Sequence, residues 1–216
     1  MTPAACDLDQ VQSLCRQYLH KHMDGDPAHD ITHVQRVVQN TLRLTDLEQG
    51  NADITLPAAW LHDCVSVAKD SPLRKQASKL AADEATRFLS SIDYPSALLD
   101  PVHHAIEAHS FSANITTQSL EARIVQDADR LEALGAIGIT RCFLTGGSMG
   151  TPLYEPADPF ATNRKPDDRR FTLDHFYCKL LGLADSMQTE AGRAEAVKRT
   201  EYMQEFLDQL ALEIGS

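Results

Sequence analysis

Residues 56–67 read Leu-Pro-Ala-Ala-Trp-Leu-His-Asp-Cys-Val-Ser-Val, and this stretch governs the interpretation of the whole chain. Its apolar residues recur with the period of an α-helix. On a helix that turns about 100° per residue, one face carries Leu56, Ala59, Trp60, Asp63 and Val67. The pattern predicts a helix over residues 55–68 that directs Asp63 towards the core, with Thr55 as its N-cap and Pro57 in its first turn.

A carboxylate directed into a core needs a partner, because an isolated buried charge is strongly destabilising. The usual partners are an arginine or lysine, several hydrogen-bond donors, or a metal ion. His62 precedes Asp63 and is offset by about 100° around the helix axis, so one ion beside the helix is within reach of both side chains. For this pair alone, a hydrogen-bonded core histidine or a surface ion pair explains the two residues at least as well.

The rest of the chain shows the same helical period, and no alternating run of β-branched residues is long enough to predict a strand. We therefore expect an all-α fold. Asp30 or Thr32 is expected to cap the second helix, and Asp100-Pro101 suggests a renewed helix start before Val102. The predicted helices cover residues 8–22, 32–48, 55–68, 73–91, 96–109, 119–145 with a break near 135–138, 172–185 and 190–213.

A length of 216 residues predicts a single domain over residues 1–216. We expect its core over residues 20–145, with the helices of residues 172–213 packed on that core. Residues 146–171 are rich in glycine and proline and have almost no periodicity. A long loop is expected there, and it either borders a site or is a solvated connection.

The composition excludes several classes of function. Counting 20 Lys and Arg against 31 Asp and Glu gives a net charge of −11, which argues against nucleic acid or an anionic membrane as a partner. The five cysteines form no C-x-x-C pair, so a reducing cytoplasm is expected and a disulfide framework or thiolate zinc site is not. Neither a signal peptide nor a run of about 18 apolar residues is found.

Three further positions extend the motif at His62 to both sides. His33 opens the second predicted helix and Asp129 lies in a later one, so that the chain carries an H…HD…D series. This series resembles the HD-domain superfamily of metal-dependent phosphohydrolases, in particular the bacterial HD phosphohydrolases of the YedJ/YpgQ type. The resemblance extends over residues 20–210 and is most specific at DADRLEALGAIG. The segments that carry it are HDITHVQRV (29–37), AAWLHDCVSVAKDSP (58–72), IEAHSFSA (106–113), EARIVQDADRLEALGAIGITRCF (121–143) and LDHFYCKLLGLADSMQT (173–189).

The resemblance implies that helices converge so that His33, His62, Asp63 and Asp129 bind one divalent metal ion. It also implies that Asp63 orients the attacking water. Imidazole nitrogen together with carboxylate oxygen suits first-row divalent ions. Mn²⁺ is the expected ion, with Mg²⁺, Ni²⁺, Fe²⁺ and Zn²⁺ as alternatives. The helical period does not separate Asp127 from Asp129, and the family pattern favours Asp129.

Contacts to a substrate are expected from a second set of residues. His109 shares a helix face with apolar residues and is predicted to point inward, where a lone histidine is commonly a hydrogen-bonded core residue. The resemblance implies instead that His109 contacts the phosphate or the substrate, and that Lys69 is a catalytic residue that grips phosphates. Three more cations are candidates for the same task, although each could simply face solvent: Arg36, Arg130 and Lys179.

The function implied by the resemblance is hydrolysis of nucleoside or deoxynucleoside triphosphates to a monophosphate and pyrophosphate. A nucleotidase or another phosphomonoesterase needs the same metal ligands and is the alternative reaction. A catalytically silent protein that binds a metal or a nucleotide is the alternative of a different class. In each case the expected partner is a small nucleotide or phosphate ester, bound by a monomer or a homodimer.

Overall fold

The computed structural model describes residues 7–22, 31–67, 71, 73–110 and 113–215. Over these residues the chain forms α-helices and short 3₁₀ segments and no β-strand, which confirms the all-α prediction. The 3₁₀ segments are Arg74–Gln76, Leu131–Ala133 and Leu180–Ser186. The α-helices are α1 (Leu8–His22), α2 (Ile31–Glu48), α3 (Ala52–Leu61), α4 (Ala77–Ser91), α5 (Ser96–His109), α6 (Leu120–Arg130), α7 (Gly135–Ser148), α8 (Asp174–Cys178) and α9 (Glu190–Ile214).

The backbone forms two compact units, one up to Asp129 and one from Arg130 onwards. In the first unit, α3 is the central helix and contacts α1, α2, α4 and α5. All of its residues from Ile54 to Leu61 are buried, as expected for a helix that is apolar on every side. The prediction of a single domain over residues 1–216 stays a prediction.

The bounds of α3 differ from the predicted helix over residues 55–68 at both ends. Asn51 is the N-cap, since its side chain accepts a hydrogen bond from the N–H of Asp53, and Thr55 is a buried residue inside the helix. The helix ends at Leu61, so His62 and Asp63 lie in the turn after it. The helical face argument for Asp63 was therefore wrong: the side chain of His62 is fully buried and that of Asp63 is 28% exposed.

One other expected helix start does not occur, and one of the two candidate caps of α2 lies inside that helix. Helix α5 continues through Pro101 without a break, so no helix begins at Val102. Thr32 lies inside α2, and the alternative cap, Asp30, is outside the described residues. A proline removes one backbone donor, but the helix is held by its buried face, which includes Val102 and Ala105.

In the second unit, the predicted break near residues 135–138 occurs directly before α7. Gly135 begins that helix with φ = +68°, a conformation that favours glycine. A Cβ atom on Gly138 would lie 2.2 Å from the carbonyl oxygen of Ala133, so this position has no room for a side chain. The two glycines of the DADRLEALGAIG segment thus allow α7 to start directly against the preceding 3₁₀ turn.

The second unit also contains the predicted long loop, which begins after Ser148 because α7 extends three residues beyond the predicted end. Backbone hydrogen bonds of 2.9 Å from Thr172 to Pro152 and from Leu173 to Leu153 join its two ends. Arg164 donates two hydrogen bonds, of 2.5 and 2.8 Å, to the buried carboxylate of Asp174. Arg164 is therefore a structural residue of the loop.

No helix in the described part of the chain is both long enough and apolar enough to cross a membrane.

Candidate metal centre

The turn after α3 supplies two side chains of the centre. Nδ1–H of His62 donates a 2.8 Å hydrogen bond to the carbonyl of Ala59, one of the last carbonyls of the helix. These carbonyls have no N–H partner within their own helix. Because a carbonyl only accepts, Nδ1 carries a proton, and Nε2 is the ring nitrogen that faces the carboxylates of Asp63 and Asp129. A histidine that binds a metal commonly donates its other ring N–H in this way.

Nε2 of His62 is buried and makes no hydrogen bond to any residue that the structure describes. Two carboxylates lie near it: Oδ2 of Asp63 at 3.5 Å and Oδ1 of Asp129 at 3.9 Å. An unsatisfied buried nitrogen is unusual and requires an explanation. A cation bound between this nitrogen and the two carboxylates would provide one.

Helices α2 and α6 bring the other two predicted ligands to the same place. His33 is buried in the first turn of α2, and its Nε2 lies 3.5 Å from Oδ1 of Asp129. Asp129 is the penultimate residue of α6 and is 29% exposed at its side chain. Asp127, the alternative that the helical period left open, is fully buried and belongs to neither of the metal-binding groups found among the described residues.

His109 is the last residue of α5, and its side chain lies near Asp63. It is buried, as its helical position predicted, and its Nδ1–H donates a 2.6 Å hydrogen bond to the carbonyl of Ile106. Its Nε2 lies 3.7 Å from Oδ1 of Asp63. The carboxylate of Asp63 thus faces His62 with one oxygen and His109 with the other. His62 and His109 use the same device, a ring N–H bonded to a carbonyl three residues earlier.

The pKa values of the two rings shift in opposite directions, although the carboxylates of Asp63 and Asp129 act to raise both. Burial by itself lowers the pKa of His62, but the carboxylates of Asp63 and Asp129 outweigh it and raise that pKa from 6.5 to about 9. Burial lowers the pKa of His109, and the positive charge of His62 adds to the effect. The carboxylates therefore favour a positive charge between them and His62.

The donor set and its spacing fit a divalent ion. The ligand atoms of His33, His62 and Asp129 lie within 4.8 Å of one another, as do those of His62, Asp63 and His109. Atoms bound at about 2.1 Å to a common ion lie roughly 3.0–4.2 Å apart, which matches the observed separations of 3.5–3.9 Å. Histidine and aspartate are thus positioned for a metal.

Comparisons with known proteins show the family of the chain. The HD domain model matches residues 30–134. The uncharacterized protein YpgQ of Bacillus subtilis is 32% identical over 195 residues, which are 88% of this chain and 87% of YpgQ. The chain belongs to the HD superfamily of hydrolases.

Solved structures of other HD proteins are similar over almost the whole chain. The crystal structure of an HD-superfamily hydrolase from Bacillus thuringiensis has a TM-score of 0.74 and 33% identity, and covers 97% of each chain. The crystal structure of B. subtilis YpgQ in complex with ADP has a TM-score of 0.72 and 30% identity, and covers 96% of this chain and 98% of YpgQ.

Of the remaining site residues predicted for this HD protein, three lie in the described part of the chain. Arg36 lies one turn after His33 on α2 and donates a 3.3 Å hydrogen bond to the hydroxyl of Thr32. Lys69 is outside the described residues. Arg130 and Lys179 belong to the second unit, where Arg130 donates a 2.5 Å hydrogen bond to the carbonyl of Ser186. The proposed substrate contacts of these four residues stay predictions.

Sequence reasoning overlooked two buried carboxamides beside the cluster. Nε2 of Gln126 donates a 2.8 Å hydrogen bond to the carbonyl of Ala108. Nδ2 of Asn40 donates a 3.5 Å hydrogen bond to the carbonyl of Ala128. A signal was present for Asn40, since it follows His33 by two helical turns and lies on the apolar face of α2.

Proposed function

We propose that this HD protein is a metal-dependent phosphohydrolase that cleaves nucleoside or deoxynucleoside triphosphates into a monophosphate and pyrophosphate. The observation that carries the proposal is a pair of overlapping groups of possible metal ligands, which share His62 and its unsatisfied Nε2. One group is His33, His62 and Asp129, and the other is His62, Asp63 and His109. A nucleotide as the substrate is supported by YpgQ, whose structure was determined in complex with ADP.

The side chains of His33, His62, Asp63 and Asp129 would hold one divalent ion, with Mn²⁺ as the expected metal. Such an ion supplies a positive charge that polarises a phosphoryl oxygen and lowers the pKa of water. The chain itself orients the imidazoles of His62 and His109. Each ring donates its Nδ1–H to a helix carbonyl, and each Nε2 therefore faces the carboxylate of Asp63.

Asp63 is proposed to orient the attacking water. Its Oδ2 faces His62 and its Oδ1 faces His109. The carboxylate would accept a hydrogen bond from a water that lies between Asp63 and the substrate. His109 is proposed to contact the substrate at the same edge. Its Nε2 accepts a hydrogen bond while the ring is neutral and donates one to a phosphate oxygen when the ring is protonated.

The net charge of −11 repels anionic nucleotides at long range, so local cations must offset it. We propose that Lys69 grips the phosphate chain and assists catalysis. Arg36, Arg130 and Lys179 are the further candidates for phosphate contact.

A panel of nucleoside triphosphates, deoxynucleoside triphosphates, monophosphates and simple phosphate esters tests the reaction. Each compound is incubated with the purified protein and Mn²⁺, Mg²⁺, Ni²⁺, Fe²⁺ or Zn²⁺, and the products are identified by chromatography. We expect a monophosphate and pyrophosphate from at least one triphosphate, and no activity from Asp63→Ala.

The same panel separates the alternatives. In H₂¹⁸O, attack at the α-phosphorus places the label in the monophosphate. Release of inorganic phosphate from monophosphates would instead identify a nucleotidase or another phosphomonoesterase. Binding of metal and nucleotide without turnover would identify a silent binding protein. Activity that survives in Asp63→Ala would contradict the proposed role of the cluster.

A further inference from the structure

Two residues of the metal-binding groups lie at the ends of α-helices. His109 is the last residue of α5, and Asp129 is the residue before the last of α6. The final four carbonyls of a helix lack N–H partners within that helix, and helix ends fray for this reason. The end of α6 passes directly into the 3₁₀ segment Leu131–Ala133, and side-chain bonds to the last carbonyls of α6 help to hold Asp129 near His33 and His62.

The peptide before each of these residues is bound by a buried carboxamide. The carbonyl of Ala108, directly before His109, accepts a hydrogen bond from Gln126 of α6. The carbonyl of Ala128, directly before Asp129, accepts one from Asn40 of α2. Asn40 is 9% exposed and Gln126 is 5% exposed, so water competes little for either bond.

These bonds connect the helices that carry the cluster. Asn40 lies on the same face of α2 as His33, two turns later, so one face of α2 contacts both Asp129 and the peptide before it. Gln126 lies three residues before Asp129 on α6 and reaches the end of α5 beside His109. Helix α6 is therefore bonded to α2 through Asn40 and to α5 through Gln126.

We propose that Asn40 and Gln126 are positioning residues that fasten α6 to α2 and α5 and so keep Asp129 at ligating distance from His33 and His62. The proposal rests on the part of the proposed function in which the cluster binds a divalent ion. Neither residue touches the ion or the substrate. Each acts through the peptide that carries the next side chain.

The test compares Gln126→Met and Asn40→Leu with the unchanged protein. Both substitutions keep the approximate side-chain size and remove the N–H donor. Thr45→Val is the matched control, because it removes a buried 2.8 Å hydrogen bond between Thr45 of α2 and Thr55 of α3. Thr45 lies about 18 Å along the helix axis from His33, so it is distant from the cluster on α2.

Mn²⁺ affinity is measured by calorimetry, and the visible absorption spectrum of bound Co²⁺ reports the geometry of the ligands. We expect Mn²⁺ to bind about 10- to 100-fold more weakly in Gln126→Met and Asn40→Leu, with an altered Co²⁺ spectrum, while Thr45→Val stays within about twofold. Melting temperatures of all variants show how much stability each has lost. If one variant does not fold, the other decides the outcome.

Unchanged Mn²⁺ affinity and an unchanged Co²⁺ spectrum in the folded variants would overturn the proposal. An equal loss of affinity in Thr45→Val would overturn it as well, since the effect would then follow from stability alone. A protein that binds Mn²⁺ but hydrolyses no nucleotide would disprove the proposed function. In that case the affinities of the variants would still test the positioning role.

Discussion

Nε2 of His33, in the first turn of α2, lies 3.5 Å from Oδ1 of Asp129, at the end of α6. The same aspartate oxygen lies 3.9 Å from the buried Nε2 of His62. One carboxylate oxygen therefore faces two imidazole nitrogens. This arrangement supports the proposed cation site, and it leads to predictions that separate the proposed ligands from neighbouring residues.

His62→Ala removes a proposed metal ligand and the donor to the carbonyl of Ala59. We expect the affinity for Mn²⁺ to fall by more than about 100-fold, since even residues that only orient a ligand contribute about 10- to 100-fold. His104→Ala is the matched control, because His104 accepts a hydrogen bond from the N–H of Gln118 and is not in the cluster. Calorimetric titration of both variants measures the difference. Equal affinities would disprove the assignment of His62.

Lys69→Ala tests a residue outside the described part of the chain. If Lys69 grips phosphates, kcat/KM falls by about 10-fold or more, because a charged hydrogen bond contributes about 1.5–3 kcal/mol. Metal content, measured by elemental analysis, stays unchanged. Lys79→Ala is the control, since Lys79 is exposed and pairs with Asp83. Loss of the metal together with normal substrate affinity would show that the role given to Lys69 is wrong.

Gly138→Ala tests the close approach at the start of α7. The new Cβ atom would lie 2.2 Å from the carbonyl oxygen of Ala133, so the backbone must move. We expect the free energy of unfolding to decrease by about 1–3 kcal/mol. In Gly147→Ala the Cβ atom has nothing within 4 Å, and the helix propensity of alanine should raise stability by up to about 1 kcal/mol. Denaturant titrations compare the two, and a Gly138→Ala protein as stable as the wild type would contradict the packing described.

Asp174→Asn tests whether the carboxylate of Asp174 anchors the long loop, through the pH dependence of protein stability. Burial raises the pKa of Asp174, but the hydrogen bonds from Arg164 and from the N–H of Asp167 outweigh it and lower the pKa below 3.8. The ionised carboxylate therefore stabilises the folded protein above pH 3.8, and this stabilisation is lost as the pH falls through the lower folded-state pKa. We expect Asp174→Asn to melt at a lower temperature than the unchanged protein at pH 7. The difference between the two melting temperatures should shrink below pH 3.8. A difference that does not depend on pH would contradict the account.

Much of the fold could be predicted because it follows from apolar periodicity. Helices α1, α2, α5 and α9 begin and end within one residue of the predicted bounds. The end of α3 could not be predicted in this way, because the imidazole of His62 binds the helix carbonyl of Ala59. No hydrophobic pattern reveals such a side-chain bond.

The sequence pointed to the residues of the candidate site, but it predicted their relative positions less well. The H…HD…D pattern pointed to the cluster that the structure brings together, whereas the helical period left Asp127 and Asp129 equivalent. The structure separates them, since only Asp129 faces His33 and His62. The roles of Asn40 and Gln126 depend on contacts with carbonyls on other helices, and a single sequence does not display such contacts.

The location of bound Mn²⁺ tests the central claim most directly. Crystals of the protein grown with Mn²⁺ would give an anomalous difference map that places the ion. We predict one peak at about 2.0–2.3 Å from Nε2 of His33, Nε2 of His62 and one carboxylate oxygen each of Asp63 and Asp129. A map without a peak in this cluster, or with a peak bound by Asp127 instead of Asp129, would contradict the account.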